Sequence, residues 1–158
     1  KSFNIPAFTG AYGFIPEENE RDSYLQALKG RDGLSSPSVP ALVAHIAAYR
    51  DGAPWLDALR DYLQANMRYV ADTLNNAFPA LCWQPPEATY LAWIDLRPLN
   101  VDDRALQQAL IAEQKVAIMP GYTYGPEGNG FLRLNVGCPR EKLERGVEGL
   151  IAALRSLS

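Results

Sequence analysis

The 158-residue chain is poor in the residues that build metal and disulfide sites: it has two cysteines, Cys82 and Cys138, and one histidine, His45. The cysteines lie in segments of different character, which argues against a disulfide framework or a cysteine-rich zinc site and suits a reducing cytoplasm. Basic charge is not in excess. Fifteen Lys and Arg stand against eighteen Asp and Glu, a net charge of −3 with the signs mixed along the chain, so nothing supplies the basic face that nucleic-acid binding needs. No apolar run approaches the ~18–20 residues that span a bilayer, and the start, Lys1-Ser2-Phe3-Asn4, lacks a signal peptide's apolar stretch. The expectation is a cytoplasmic protein with neither membrane nor nucleic acid among its partners. An initiator methionine is also missing, which reads as a processed product or a piece of a longer protein.

What is present suffices for a core. Apolar residues make up 47% of the chain, and a chain of this length buries about 68–70% of its unfolded surface without staples. The first 36 residues are irregular: Phe3, Ile5, Phe8, Tyr12, Phe14 and Ile15 are interrupted by prolines and glycines, and such an apolar stretch needs a partner surface. A short helix is expected over about Asp22 to Lys29, ended by Gly30. Val39, Leu42, Val43, Ile46 and Ala47 then mark one apolar face of a helix ending near Asp51-Gly52. A longer helix follows over 54–77, with Trp55, Leu59, Tyr62, Leu63, Met67, Val70 and Leu74 on one face.

Strand patterns appear near 89–96, 116–119 and 131–136, with helices near 102–113, capped by Asp102 or Asp103, and 139–156, opened by Pro139. The order predicts an α/β fold of the two-layer α+β kind, a short, mainly antiparallel sheet with both helices on one face. Alternation puts Leu132, Leu134 and Val136 toward those helices and Phe131, Arg133 and Asn135 away from them.

Arg133 is the residue that pattern singles out for chemistry. It reads either as a surface or salt-bridged arginine or as a bidentate clamp for a carboxylate, for which a planar guanidinium is suited and lysine is not. The glycines of Gly121 to Gly130 precede a strand instead of opening a helix, so a tight turn is a better reading than a phosphate loop. His45, Cys82 and Cys138 read as packing residues, and Lys1 by itself as a terminal lysine.

Three blocks carry a resemblance. Lys1-Ser2-Phe3-Asn4-Ile5-Pro6 resembles the Schiff-base lysine segment of fold-type I pyridoxal-phosphate enzymes of the aminotransferase class I/II superfamily. Ala88 to Asp95 is similar to the first strand of their small domain, and Pro120-Gly121 through Gly130-Phe131-Leu132-Arg133-Leu134-Asn135 to the loop and strand that deliver the substrate-carboxylate arginine. Asp32 to Ser38, Ala44 to Tyr49 and Gly52 to Leu56 resemble most the MalY/PatB-type cystathionine β-lyases, a likeness that covers essentially the whole chain.

The resemblance implies pyridoxal 5'-phosphate as cofactor, Lys1 as its attachment point and the catalytic amine, and Arg133 as the substrate-carboxylate residue. It implies that 1–52 is a remnant of the large cofactor-binding domain and 53–158 the small C-terminal domain of that fold, with 54–77 the linking helix. The N-terminal part of the large domain, with its cofactor-stacking ring, ring-nitrogen aspartate and most phosphate contacts, is then a missing partner, and these residues alone are expected to be inactive. The implied substrate is an amino acid with a β-thioether, cystathionine, cleaved to homocysteine, pyruvate and ammonia. The implied assembly is a homodimer of the parent, no metal is expected, and a transcriptional regulator is a further implied partner. Aminotransferase activity, or a role mainly as a regulator-binding modulator, are the alternatives. Asn135 and Tyr90 lie near the motifs without an assigned role.

Overall fold

The computed structural model describes residues 2–34 and 36–157. The chain divides into two units, Lys1–Leu59 and Arg60–Ser158, and the division falls inside a helix.

The first unit holds α1 (Glu18–Gln26), α2 (Val39–Asp51) and the opening residues of α3 (Ala53–Ala77). α1 begins four residues before the expected Asp22, after an extended Glu17, and Glu18 and Glu20 in its first turn complement the N-terminal end of the dipole. Gly30 does not end it. The helix widens into a π-helical turn over Ala27–Arg31, and the chain leaves at Asp32 and Gly33, where φ is +66°. α2 starts as expected, with the Ser38 side chain accepting the Ala41 N–H at 3.4 Å and Pro40 in the first turn.

Its apolar stripe, however, is not the buried side. Val39, Leu42, Val43 and Ile46 are exposed, while Ala41 is buried and Ala44, His45 and Ala48 are half-buried. The irregular residues before α1 lie on this small-residue side: a Cβ on Gly10 would stand 2.9 Å from that of Ala41 and 3.5 Å from the His45 ring. Close backbone approach favours alanine there over the bulkier stripe. Phe3 meets Tyr49 edge-on at 5.3 Å and stacks near Trp55 at 6.3 Å, and Tyr12 meets Tyr49 at 6.0 Å. The expected partner surface of the first segment is thus partly α2, although Phe14 stays 89% exposed.

The second unit contains the rest of α3, then β1 (Leu91–Asp95), α4 (Asp103–Ala112), β2 (Met119–Pro120), β3 (Phe131–Asn135) and α5 (Arg140–Ser156). The strands form one antiparallel sheet in the order β1-β3-β2. Leu132, Leu134 and Val136 are buried in one core with Leu106 and Leu110 of α4 and Val147 and Leu150 of α5, so the expected leucine face is the covered face. From the expected stripe of α3, Met67, Val70 and Leu74 enter that core, while Tyr62 stays exposed.

β2 is shorter than the expected 116–119 and later. The chain turns back from α4 through Lys115 at φ +56°, Val116 N–H bonds the Leu110 carbonyl at 2.9 Å, and only Met119 and Pro120 reach the ladder. A proline without an N–H is tolerated at such an edge. Buried Asn66 of α3 donates its amide to the Val136 carbonyl at 2.9 Å, and Tyr62 donates its hydroxyl to the Cys138 carbonyl at 3.0 Å, tying α3 to the chain leaving β3.

Candidate functional site

Arg133 occupies the middle of the central strand, on the face turned away from the helices. Register fixes its neighbours: Trp93 of β1 and Met119 of β2 stand opposite it, and both are partly exposed. Its guanidinium lies over the Tyr124 ring, 4.6 Å from the centroid. Trp93 meets Tyr124 edge-on at 5.7 Å and stacks on Phe131 at 5.4 Å. At the far end of this aromatic row Arg97 lies over Phe131, again at 4.6 Å.

The two arginines differ in what their donors meet. Arg97 closes a two-pronged ion pair on Asp95, at 2.9 and 2.7 Å, and that hydrogen-bonded guanidinium holds the Asp95 carboxyl below the ordinary aspartate range. The Arg133 side chain makes no ion pair or hydrogen bond with any described residue. A half-buried guanidinium whose donor fork no described residue fills has the chemistry to receive a planar anion, a carboxylate above all.

The loop from Gly121 to Gly130 carries Tyr124 and is tightly held. Gly121 and Gly128 approach backbone to backbone, leaving no room for a Cβ on either. The Asp103 carboxylate accepts the Gly130 N–H at 2.7 Å, and the Thr123 hydroxyl donates to the Pro120 carbonyl at 2.8 Å. The segment forms two short 3₁₀ turns leading into β3, in keeping with a tight turn and not a phosphate loop.

Lys1 lies outside the described residues. His45 bonds the Ala41 carbonyl of its own helix at 2.7 Å, and Cys82 and Cys138 are free thiols. Asn135 is occupied in accepting the Gly137 N–H at 2.8 Å, and Tyr90 is exposed. Among the described residues no cluster of His, Cys, Asp and Glu is suited to a metal ion, and no helix is long and apolar enough to cross a membrane. Sequence reasoning missed Tyr124 and Trp93 as part of the site. Alternation between buried Ala92 and Ile94 points Trp93 to the open face, but its pairing with Arg133 depends on strand register, which no local pattern contains.

Known proteins agree on the family. The model for "Aminotransferase class I and II" matches residues 1–150. Protein MalY of Escherichia coli is 71% identical over 99% of this chain and 40% of its own length, and the cystathionine β-lyase PatB of Bacillus subtilis is 37% identical over 98% and 40%. Cystalysin from Treponema denticola, solved with pyridoxal 5'-phosphate, superposes with a TM-score of 0.85 at 28% identity, over 99% of this chain and 40% of that one. The chain therefore spans about 40% of the length of the relatives it matches.

Proposed function

The chain belongs to the aminotransferase class I and II family, and from that premise we propose that it is the C-terminal part of a pyridoxal-phosphate-dependent carbon–sulfur β-lyase. In this reading 1–52 complete the large domain, and 53–158 form the small domain. The overall reaction is cystathionine plus water giving homocysteine, pyruvate and ammonia. The observation that carries the reading is Arg133, whose open donor fork sits on the exposed sheet face in a chain alike to a cystathionine β-lyase over nearly its whole length.

The donor chemistry fits the cofactor. Pyridoxal phosphate requires a primary amine, which Lys1 supplies; when bound, it draws electrons from the substrate's Cα. Arg133 holds the α-carboxylate by two parallel hydrogen bonds and so fixes which Cα bond is aligned for cleavage. The Lys1 amine holds the cofactor and, when free of it, takes the Cα proton. Free Cys82 and Cys138 support a cytoplasmic setting. A second copy of the whole protein and a transcriptional regulator are the partners to test, by sedimentation and by pull-down.

The test uses the whole protein that contains this chain. It should release thiol and pyruvate from cystathionine, and Arg133→Lys should raise KM at least about tenfold through loss of the two-pronged contact. Amino transfer to a 2-oxo acid without pyruvate release would overturn the lyase in favour of an aminotransferase.

A further inference from the structure

Two arginines stand on the same aromatic row at the same distance from a ring, yet among the described residues only one finds partners for its fork. Arg97 lies over Phe131 and spends its donors on Asp95, while Arg133 lies over Tyr124 and no described residue takes its donors. Stacking uses the face of a guanidinium and none of its five in-plane N–H groups. A ring can therefore fix the plane of an arginine while leaving its donors for a ligand, which an ion pair cannot do.

We propose that Tyr124 is a positioning residue for Arg133: its ring holds the guanidinium in one plane, ready for a carboxylate. The inference rests on the reading of Arg133 as the carboxylate-binding residue. Without the ring, a long side chain on an open sheet face samples many rotamers, and ordering them on binding lowers affinity. Tyr124 itself is doubly held. Trp93 meets it edge-on at 5.7 Å, and the loop that carries it is pinned by the Gly121–Gly128 approach and by the Asp103 carboxylate on the Gly130 N–H. The row from Phe131 through Trp93 to Tyr124 thus passes the order of the sheet to a side chain whose donors no described residue takes.

The test follows the Arg133 Nε–H resonance of the 158-residue chain by NMR while sodium acetate is titrated at constant ionic strength against sodium chloride. Acetate, and not chloride, should shift the resonance. Tyr124→Phe should keep both the ring-current shift of the Arg133 side chain and the acetate affinity. Tyr124→Leu should abolish that ring-current shift and weaken acetate binding about two- to fivefold, the range of an exposed cation–π contact. Tyr124 is half exposed, so the fold should survive, which the backbone amide spectrum checks. Tyr124→Met, with apolar bulk but no π face, replaces the leucine variant should that unfold. Unchanged acetate affinity in the folded leucine or methionine variant would overturn the positioning role and leave Arg133 as carboxylate receptor. No response of Arg133 to acetate in the unaltered chain would overturn the receptor reading, and the positioning role with it.

Discussion

At the scale of single residues, charge matters here through what is paired and what is not. Asp95 and Arg97 neutralise each other on the open sheet face, but their side chains are 34% and 64% exposed, so solvent screens the pair and it contributes little. Arg97 lowers the folded-state pKa of Asp95. A lowered carboxyl stabilises the fold above the unfolded-state pKa, and that contribution disappears as the pH falls through the folded value. Asp95→Asn keeps an oxygen for the Arg97 backbone N–H and Nε–H, and removes the charge together with the second oxygen that accepts from the Arg97 Nη2. The variant should lose up to about 1 kcal/mol in denaturant titrations at pH 7. The gap to the unaltered chain should close as the pH drops below the aspartate range. A gap that persists undiminished at pH 2 would mean the carboxylate's charge is not what stabilises.

At the scale of elements, the sequence was most legible where a pattern and its partner lie in the same unit. α5 shows an apolar stripe in its sequence, and Leu143, Val147, Leu150 and Leu154 are all buried against the sheet. α2 shows a stripe as regular, and its large members face solvent. Periodicity reveals that a face exists and says nothing about what covers it; the small alanines that do pack in α2 carry almost no pattern of their own. The difference is measurable. Leu150→Ala, at a position with 0% exposure, should cost about 2–5 kcal/mol in chemical unfolding of this chain. Val43→Ser, at 62% exposure, should fall within about 0.5 kcal/mol of the unaltered chain. A large loss at Val43 would mean that this face is covered. The site divides in the same way: Arg133 was legible because alternation along one strand suffices to aim it, whereas Tyr124 and Trp93 join it only through register and loop geometry. The short β2 was misread because Lys115 turns the chain before it reaches the ladder.

At the scale of the whole molecule, the described residues hold a well-packed second unit and a first unit in which Val39, Leu42, Val43 and Ile46 of α2, and Tyr12 and Phe14 before α1, are exposed. The α2 stripe, left open in this way, marks a binding face or an association hazard. The relatives are about two and a half times as long, since this chain spans 40% of them, and a site assembled from a whole fold is not expected to work from this share of it. Positioning of a cofactor draws on many fixed contacts at once, and an amine alone supplies none of the orientation on which rate depends. The 158-residue chain on its own should therefore bind pyridoxal phosphate only as any accessible lysine does, without saturation, and release no pyruvate from cystathionine. Lys1→Ala should leave its absorbance spectrum in the presence of the cofactor nearly unchanged. Absorbance titration of both forms, followed by a pyruvate assay, is the check: tight, saturable binding that vanishes with Lys1 and is accompanied by turnover would mean that these residues suffice for the site.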